Sequence, residues 1–312
     1  MNRSEVGLAG LASERTLKGR MAHGRDRQIL FHGLREPQAH RAQSSFLLQS
    51  GPMNPARRPL IAANWKMNPS PVPSLPTGQA GPQSPVPSRQ SPVASRQPPA
   101  ASPYSPRSDI DVITFPTFLD IPMSLDAGLI VGGQWGHPQE KGAFTGDVSM
   151  NMLKNLGCRY VLCGHSERRR FHHETDAFVL EQACRALEIG LHPIVCIGES
   201  GPEREHGKQK EAIERQIKNL PQSPLLIIAY EPVWAIGTGK TATPAEAQEM
   251  HAFIRSLLSK DTREQTRILY GGSANAANAK ELLSQPDIDG LLVGNASLKP
   301  EEFGKIIEAA AS

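Results

Sequence analysis

The sequence predicts an α/β protein built as a closed (β/α)8 barrel, and three observations carry that prediction. Short apolar runs recur eight times between residue 59 and the C-terminus, and helical patterns separate most of them. Polar residues and glycines collect where the runs end. Strands buried on both faces read as continuous apolar runs, and their alternation with helices implies parallel strands joined by crossovers. Eight such units in about 250 residues fit a barrel closed on itself. The alternative is a doubly wound open sheet, but no GxGxxG follows the first run.

Taken in order, residues 1–58 read as a polar, Arg-rich leader without periodicity, expected to be disordered or the product of a start site placed too early. Met53 is the alternative start, since it opens MNPARRPLIAANWKMN. A transit peptide fits less well, because acidic residues are interspersed. The barrel is expected to occupy 59–312 as a single domain. Its first strand is PLIAANW at 59–65. Residues 68–108 then hold a dozen prolines and almost no large apolar side chain, so no ordinary helix forms there. The segment reads as a disordered or polyproline-like loop in place of the first barrel helix.

The remaining strands are DVITF (111–115), LIVGGQ (129–134), RYVLCG (159–164), PIVCIG (193–198), LLIIAYE (225–231), RILYGG (267–272) and GLLVGN (290–295). Helices are expected at 174–189, 205–219, 244–259, 275–284 and 300–311, with a shorter one near 149–156 and a weak one at 118–127.

Composition narrows the function classes. The net charge of +3 gives no electrostatic case for nucleic acid or a membrane surface, and no apolar run approaches the ~20 residues of a membrane span. The four cysteines form no CxxC pair and read as reduced and mostly buried, which fits a cytoplasmic protein. Adjacent helical residues point about 100° apart, so His172-His173 is no metal pair, and neither metal nor cofactor is expected.

In a barrel of this kind chemistry gathers at the C-terminal strand ends. Those ends carry Asn64-Trp65-Lys66, Gly164-His165-Ser166-Glu167-Arg168, Gly198-Glu199, Glu231, Gly271-Gly272-Ser273 and Gly294-Asn295. The mouth would hold an amine, an imidazole and a free carboxylate. Two glycine-bearing turns from the adjacent seventh and eighth strands would aim N–H groups outward, an arrangement suited to phosphate.

Seven motifs carry a specific resemblance. AANWKMN at 62–68, GAFTGDVS at 142–149, VLCGHSERR at 161–169, PIVCIGE at 193–199, AYEPVWAIGTGKTATP at 229–244, ILYGGSAN at 268–275 and DGLLVGNASL at 289–298 occur in order. Together they resemble the triosephosphate isomerases over nearly all of 59–312 apart from 68–108, and so imply a TIM barrel. The resemblance implies interconversion of dihydroxyacetone phosphate and D-glyceraldehyde 3-phosphate through an enediolate, with no cofactor. It assigns Glu231 as the base that removes a proton beside a carbonyl, and His165 as a neutral electrophile. That neutrality is favoured by a short helix starting at Ser166-Glu167. Lys66 draws in the dianion and stabilises the oxyanion, and Asn64 orients the same oxygen. Ser273, Gly294 and Asn295 become phosphate contacts, joined by Gly237 on a small-centred lid. Glu199 supports from the fifth strand end. Glu167 pairs either with Lys66 or with Arg168. Thr145 marks the tip of a loop that implies a homodimer. Two other readings of the same barrel are a catalytically silent phosphate-binding scaffold and an isomerase of another phosphosugar.

The sequence departs from the family at four places. The first helix is displaced by 68–108, which leaves the outer faces of strands one and two in want of cover unless the loop or another chain supplies it. The segment 117–128 is abbreviated. Trp135 stands where a small polar residue is usual, and Asn295 where a second glycine is usual.

Overall fold

The computed structural model describes residues 57–72, 102–235 and 241–311. Among them eight strands run parallel: β1 (Leu60–Asn64), β2 (Asp111–Phe115), β3 (Gly132–Gly133), β4 (Tyr160–Cys163), β5 (His192–Ile197), β6 (Ile227–Tyr230), β7 (Arg267–Tyr270) and β8 (Gly290–Val293). Their order in the sheet is β2-β1-β8-β7-β6-β5-β4-β3. The ends of that order meet at a seam, where a parallel bridge joins Thr114 to Val131 and the Thr114 N–H donates to Ile130 O at 2.9 Å. A nearly closed (β/α)8 barrel results.

Side-chain alternation explains why continuous apolar runs serve here. Leu60, Ala62, Ile113, Phe115, Leu162, Ile194, Cys196, Ile227, Ala229, Leu269 and Leu292 form one buried cluster of strand residues, which fills the barrel interior. Their neighbours in sequence, such as Ile61, Ala63, Val112, Val161, Val195, Ile228 and Leu291, join a second cluster with apolar helix residues. Each strand therefore buries both faces, as a barrel wrapped in helices requires.

The helices are α1 (Ile121–Asp126), α2 (Met150–Leu156), α3 (Ser166–His172), α4 (Asp176–Glu188), α5 (Gly201–Glu205), α6 (Gln209–Ile217), α7 (Pro244–Leu257), α8 (Ala279–Leu283) and α9 (Pro300–Ala311). Their starts follow ordinary capping chemistry. Ser149 and Thr175 accept backbone N–H bonds at the starts of α2 and α4, and Ser200/Glu203 and Thr243/Glu246 close reciprocal capping boxes on α5 and α7. Among the described residues no helix is long and apolar enough to cross a membrane.

Several expectations need correction. The helix expected at 205–219 is α6 alone, starting at Gln209, because Gly207 adopts the left-handed region at φ 69° and separates it from a short preceding helix, α5. The third strand, expected over 129–134, keeps regular pairing only at Gly132–Gly133. The eighth helix begins at Ala279 rather than at 275, since the Asn275 side chain accepts from the Ala277 and Asn278 N–H groups and holds a turn there. The weak segment at 118–127 is a 3-10 turn, Phe118–Asp120, running into α1.

Between β1 and β2, the described stretches 65–72 and 102–110 contain no helix. The leader with Met53, up to residue 56, and residues 73–101 of the proline-rich segment lie outside the described residues. Of the ways β1 could be covered, the loop itself supplies one, through Tyr104. Its ring is 1% exposed, meets Trp65 edge-on at 5.5 Å and stacks on Phe303 of α9 at 5.0 Å. Cover that a helix would supply comes here from one aromatic side chain of the inserted segment. Cys158, Cys163 and Cys196 are buried and Cys184 is exposed, all four as free thiols.

Candidate active site

At the C-terminal strand ends, β1, β4, β6, β7 and β8 surround a cavity of about 570 Å³. Asn64, Lys66, His165, Glu231, Ser273 and Gly294 line it, and so does Asn295. Side chains separated by up to 231 positions thus share one chamber.

His165 caps the start of α3, and its Nδ1 accepts the Glu167 N–H at 3.2 Å. A ring nitrogen that accepts carries no proton, so this bond goes with the tautomer that has its hydrogen on Nε2. Nε2 lies 3.2 Å from Glu231 Oε1. Glu231 is 2% exposed at the end of β6. The Ser166 N–H donates to its Oε2 at 2.8 Å, whereas Oε1 has no aligned hydrogen-bond donor. One carboxylate oxygen is held and the other is open to take a proton. Beneath it, burial first and the Glu231 carboxylate second push the Cys196 thiol well above its ordinary range, so that thiol stays protonated.

The position of Glu231 depends on a close approach of two chain segments. A Cβ on Gly198 would come 1.7 Å from Glu231 O, so only glycine lets the ends of β5 and β6 meet there. Gln216 of α6 secures Gly198 by donating to its carbonyl and accepting its N–H, both at 2.9 Å.

Lys66 lies just past β1 with a left-handed backbone, φ 52°. Its N–H donates to Asn64 Oδ1 at 3.0 Å, and Gln134 Nε2 donates to its carbonyl at 2.7 Å and to Phe115 O at 2.9 Å. Its ammonium donates to Glu167 Oε1 at 2.6 Å. Of the two partners open to Glu167 the structure takes Lys66. Arg168 turns to Glu174 instead and lays its guanidinium 4.4 Å over the Trp135 ring. Trp135, anomalous in the sequence, is thereby packed away at 8% exposure.

Glu199 is fully buried at the end of β5 and lies behind the cavity rather than on its wall. Its Oε1 accepts from Tyr230 OH at 3.0 Å and Trp234 Nε1 at 2.8 Å. Burial raises its carboxyl above the usual carboxylate range, against the lowering effect of these donors and Arg204. Trp234 belongs to a 3-10 turn, Val233–Ala235, and Ser273 Oγ donates to Ala235 O at 3.3 Å. Gly237 lies outside the described residues.

Gly294 and Asn295 begin a 3-10 turn, Asn295–Leu298, just after β8. The first N–H groups of such a turn have no partner within it, and turn starts of this kind are suited to an anion. The chamber thus combines a buried carboxylate, an imidazole, an ammonium and the start of a 3-10 turn. That set can move a proton from carbon to oxygen on a small phosphorylated molecule.

Ser166, Cys196, Gln134 and Gln216 were not read as site residues from the sequence. Ser166 had a signal, since its N–H opens a helix directly behind His165. The other three are brought in by packing of strand ends and of α6 on β5, for which no linear signal exists. Thr145 is exposed on the loop between β3 and α2, away from this chamber.

A family model described as Triosephosphate isomerase matches residues 94–310. Triosephosphate isomerase of Histophilus somni (strain 129Pt) is 43% identical over 271 residues, covering 82% of this chain and 98% of that protein. That of Nocardia farcinica is 43% identical over 272 residues, with the same coverage of 82% and 98%. That of Paracidovorax citrulli reaches 54% over 179 residues, covering 55% of this chain and 71% of that protein.

Proposed function

Since the chain belongs to the triosephosphate isomerase family, and so interconverts dihydroxyacetone phosphate and D-glyceraldehyde 3-phosphate in glycolysis, we propose that Glu231, His165 and Lys66 carry the proton transfers. Glu231 takes a proton from the hydroxymethyl carbon of dihydroxyacetone phosphate onto Oε1. The C–H electron pair becomes the enediolate double bond, and the carbonyl pair moves onto oxygen. His165 Nε2–H donates to that oxygen, and Lys66 offsets its charge. The proton returns from Glu231 to the neighbouring carbon while His165 recovers one from the other hydroxyl, which leaves the aldehyde. Nothing is oxidised or reduced overall.

The observation that carries this reading is the 3.2 Å approach of His165 Nε2 to the unbonded Oε1 of a Glu231 that is 2% exposed. A dry carboxylate beside a neutral donor is what deprotonation of a weak carbon acid needs. Asn64 orients Lys66, Ser273 with Gly294 and Asn295 receives the phosphate, and Glu167 holds the ammonium until substrate replaces it. Glu199 supports the site by fixing Trp234 and Tyr230. Glu231→Asp withdraws the carboxylate by about 1 Å, which should cut kcat by about 10²-fold and change KM far less. A coupled NADH assay reads both. Unchanged turnover would remove Glu231 from its role.

We also place the chain as a homodimer in the cytoplasm. A second recess of about 340 Å³ lies beside Lys66 and His165, lined by Met67, Gln134, Trp135 and Phe171 among others. Met67 is 94% exposed and Phe171 63%, and the loop bearing Phe144 and Thr145 is exposed as well. A twofold pair that seats each Thr145 loop in the other's recess would cover these side chains.

A further inference from the structure

We propose that Tyr104 is a positioning residue for phosphate binding, acting from the inserted segment through the turn after β8. Its hydroxyl donates to Ser297 O at 2.7 Å, across 193 residues of sequence. Ser297 is itself fully buried and ties back to the cavity wall, donating its N–H at 2.8 Å and its Oγ at 2.7 Å to Gly294 O. The chain of contacts therefore runs from Tyr104 through Ser297 to Gly294, and fixes the turn whose first residues, Gly294, Asn295 and Ala296, line the cavity.

The same ring also reaches the end of β1. Tyr104 meets the Trp65 ring edge-on at 5.5 Å, and Trp65 directly precedes Lys66, whose backbone is held in the left-handed region. Phe303 of α9 backs Tyr104 from the far side at 5.0 Å, nearly parallel. One aromatic side chain of the segment between β1 and β2 thus packs on the residue before Lys66 and tethers the turn after β8, and lines neither the cavity nor the Glu231 site. Position rather than chemistry is what it supplies, so its effect belongs in substrate binding and not in the proton transfers.

This inference rests on the reading of Gly294 and Asn295 as the phosphate cradle, and the test separates the two. Wild type, Tyr104→Phe and Ser297→Ala are compared by KM and kcat for D-glyceraldehyde 3-phosphate and by the inhibition constant of inorganic phosphate. Phe keeps the packing and removes only the hydroxyl. Each variant should weaken substrate and inorganic phosphate in step, by about two- to fivefold, the scale of one neutral hydrogen bond. Turnover should stay within about twofold of wild type. The double variant should be little worse than the weaker single one, because both cut one tether. A lowered melting temperature with wild-type KM and inhibition constant would overturn the inference and leave Tyr104 a packing residue. If Tyr104→Phe does not fold, Ser297→Ala decides by the same criterion. Absence of competition by inorganic phosphate in the wild type would instead overturn the cradle reading itself.

Discussion

Glu231 shows how far single residues set the behaviour of this site. Its Oε2 is fixed by the Ser166 amide and its Oε1 is left without an aligned donor. A carboxylate ending an apolar strand was legible in the sequence as an oddity, and so was a lysine or histidine at another strand end. The Ser166 amide had a signal as a helix start behind His165, whereas the Cys196 thiol near the carboxylate was not legible, because it comes from a neighbouring strand of the sheet. Lys66 is expected to act mainly by charge. Lys66→Met should therefore reduce kcat/KM by about 10²-fold or more, measured in the same coupled assay. His251 gives a second residue-scale prediction. Burial lowers its pKa from 6.5 to about 3, and its Nδ1–H meets Asp287 O at 3.2 Å. The folded chain then binds fewer protons than the unfolded chain between these values. Its contribution is intact above pH 6.5 and is lost as pH falls from about 6.5 toward about 3, by up to about 1.4 kcal/mol per pH unit. Urea denaturation from pH 7 to pH 4 should show His251→Gln less sensitive to acid than the wild type.

At the scale of elements, legibility followed burial and punctuation. The strand cores were readable because both faces are apolar, and α9 was readable from its pattern and Pro300. The α5–α6 break was signalled by Gly207 and by the Ser200-Gly-Pro-Glu203 capping box, a local cue weaker than the helical run around it. The shortness of β3 had no cue, since pairing at the seam depends on how the barrel closes. The inserted segment shows the limit most clearly. Its proline content excluded a helix, but nothing in the linear text said that Tyr104 would return to cover β1. Truncating that side chain removes contacts with Trp65 and Phe303 together. Tyr104→Ala should lower unfolding free energy by about 3–5 kcal/mol, measured by chemical denaturation, whereas Tyr104→Phe should cost about 1 kcal/mol.

For the whole molecule, the barrel brings an amine from β1, an imidazole from β4 and a carboxylate from β6 to one chamber. The topology was legible from alternation alone, and the assembly state was not, because a dimer surface carries no periodic signature. Thr145→Arg would place a charge in the recess beside Met67 and Trp135 of a second copy. Sedimentation should find the wild type as a dimer and this variant as a monomer, with turnover reduced. The most direct test of the account is isomerisation of D-glyceraldehyde 3-phosphate by the full chain in deuterated water. A proton held on the Glu231 carboxylate exchanges with solvent before it returns. Mass spectrometry should therefore find deuterium on the hydroxymethyl carbon of the product in most molecules. Product formed with full retention of the original hydrogen would contradict an exchangeable proton on Glu231, and with it the account.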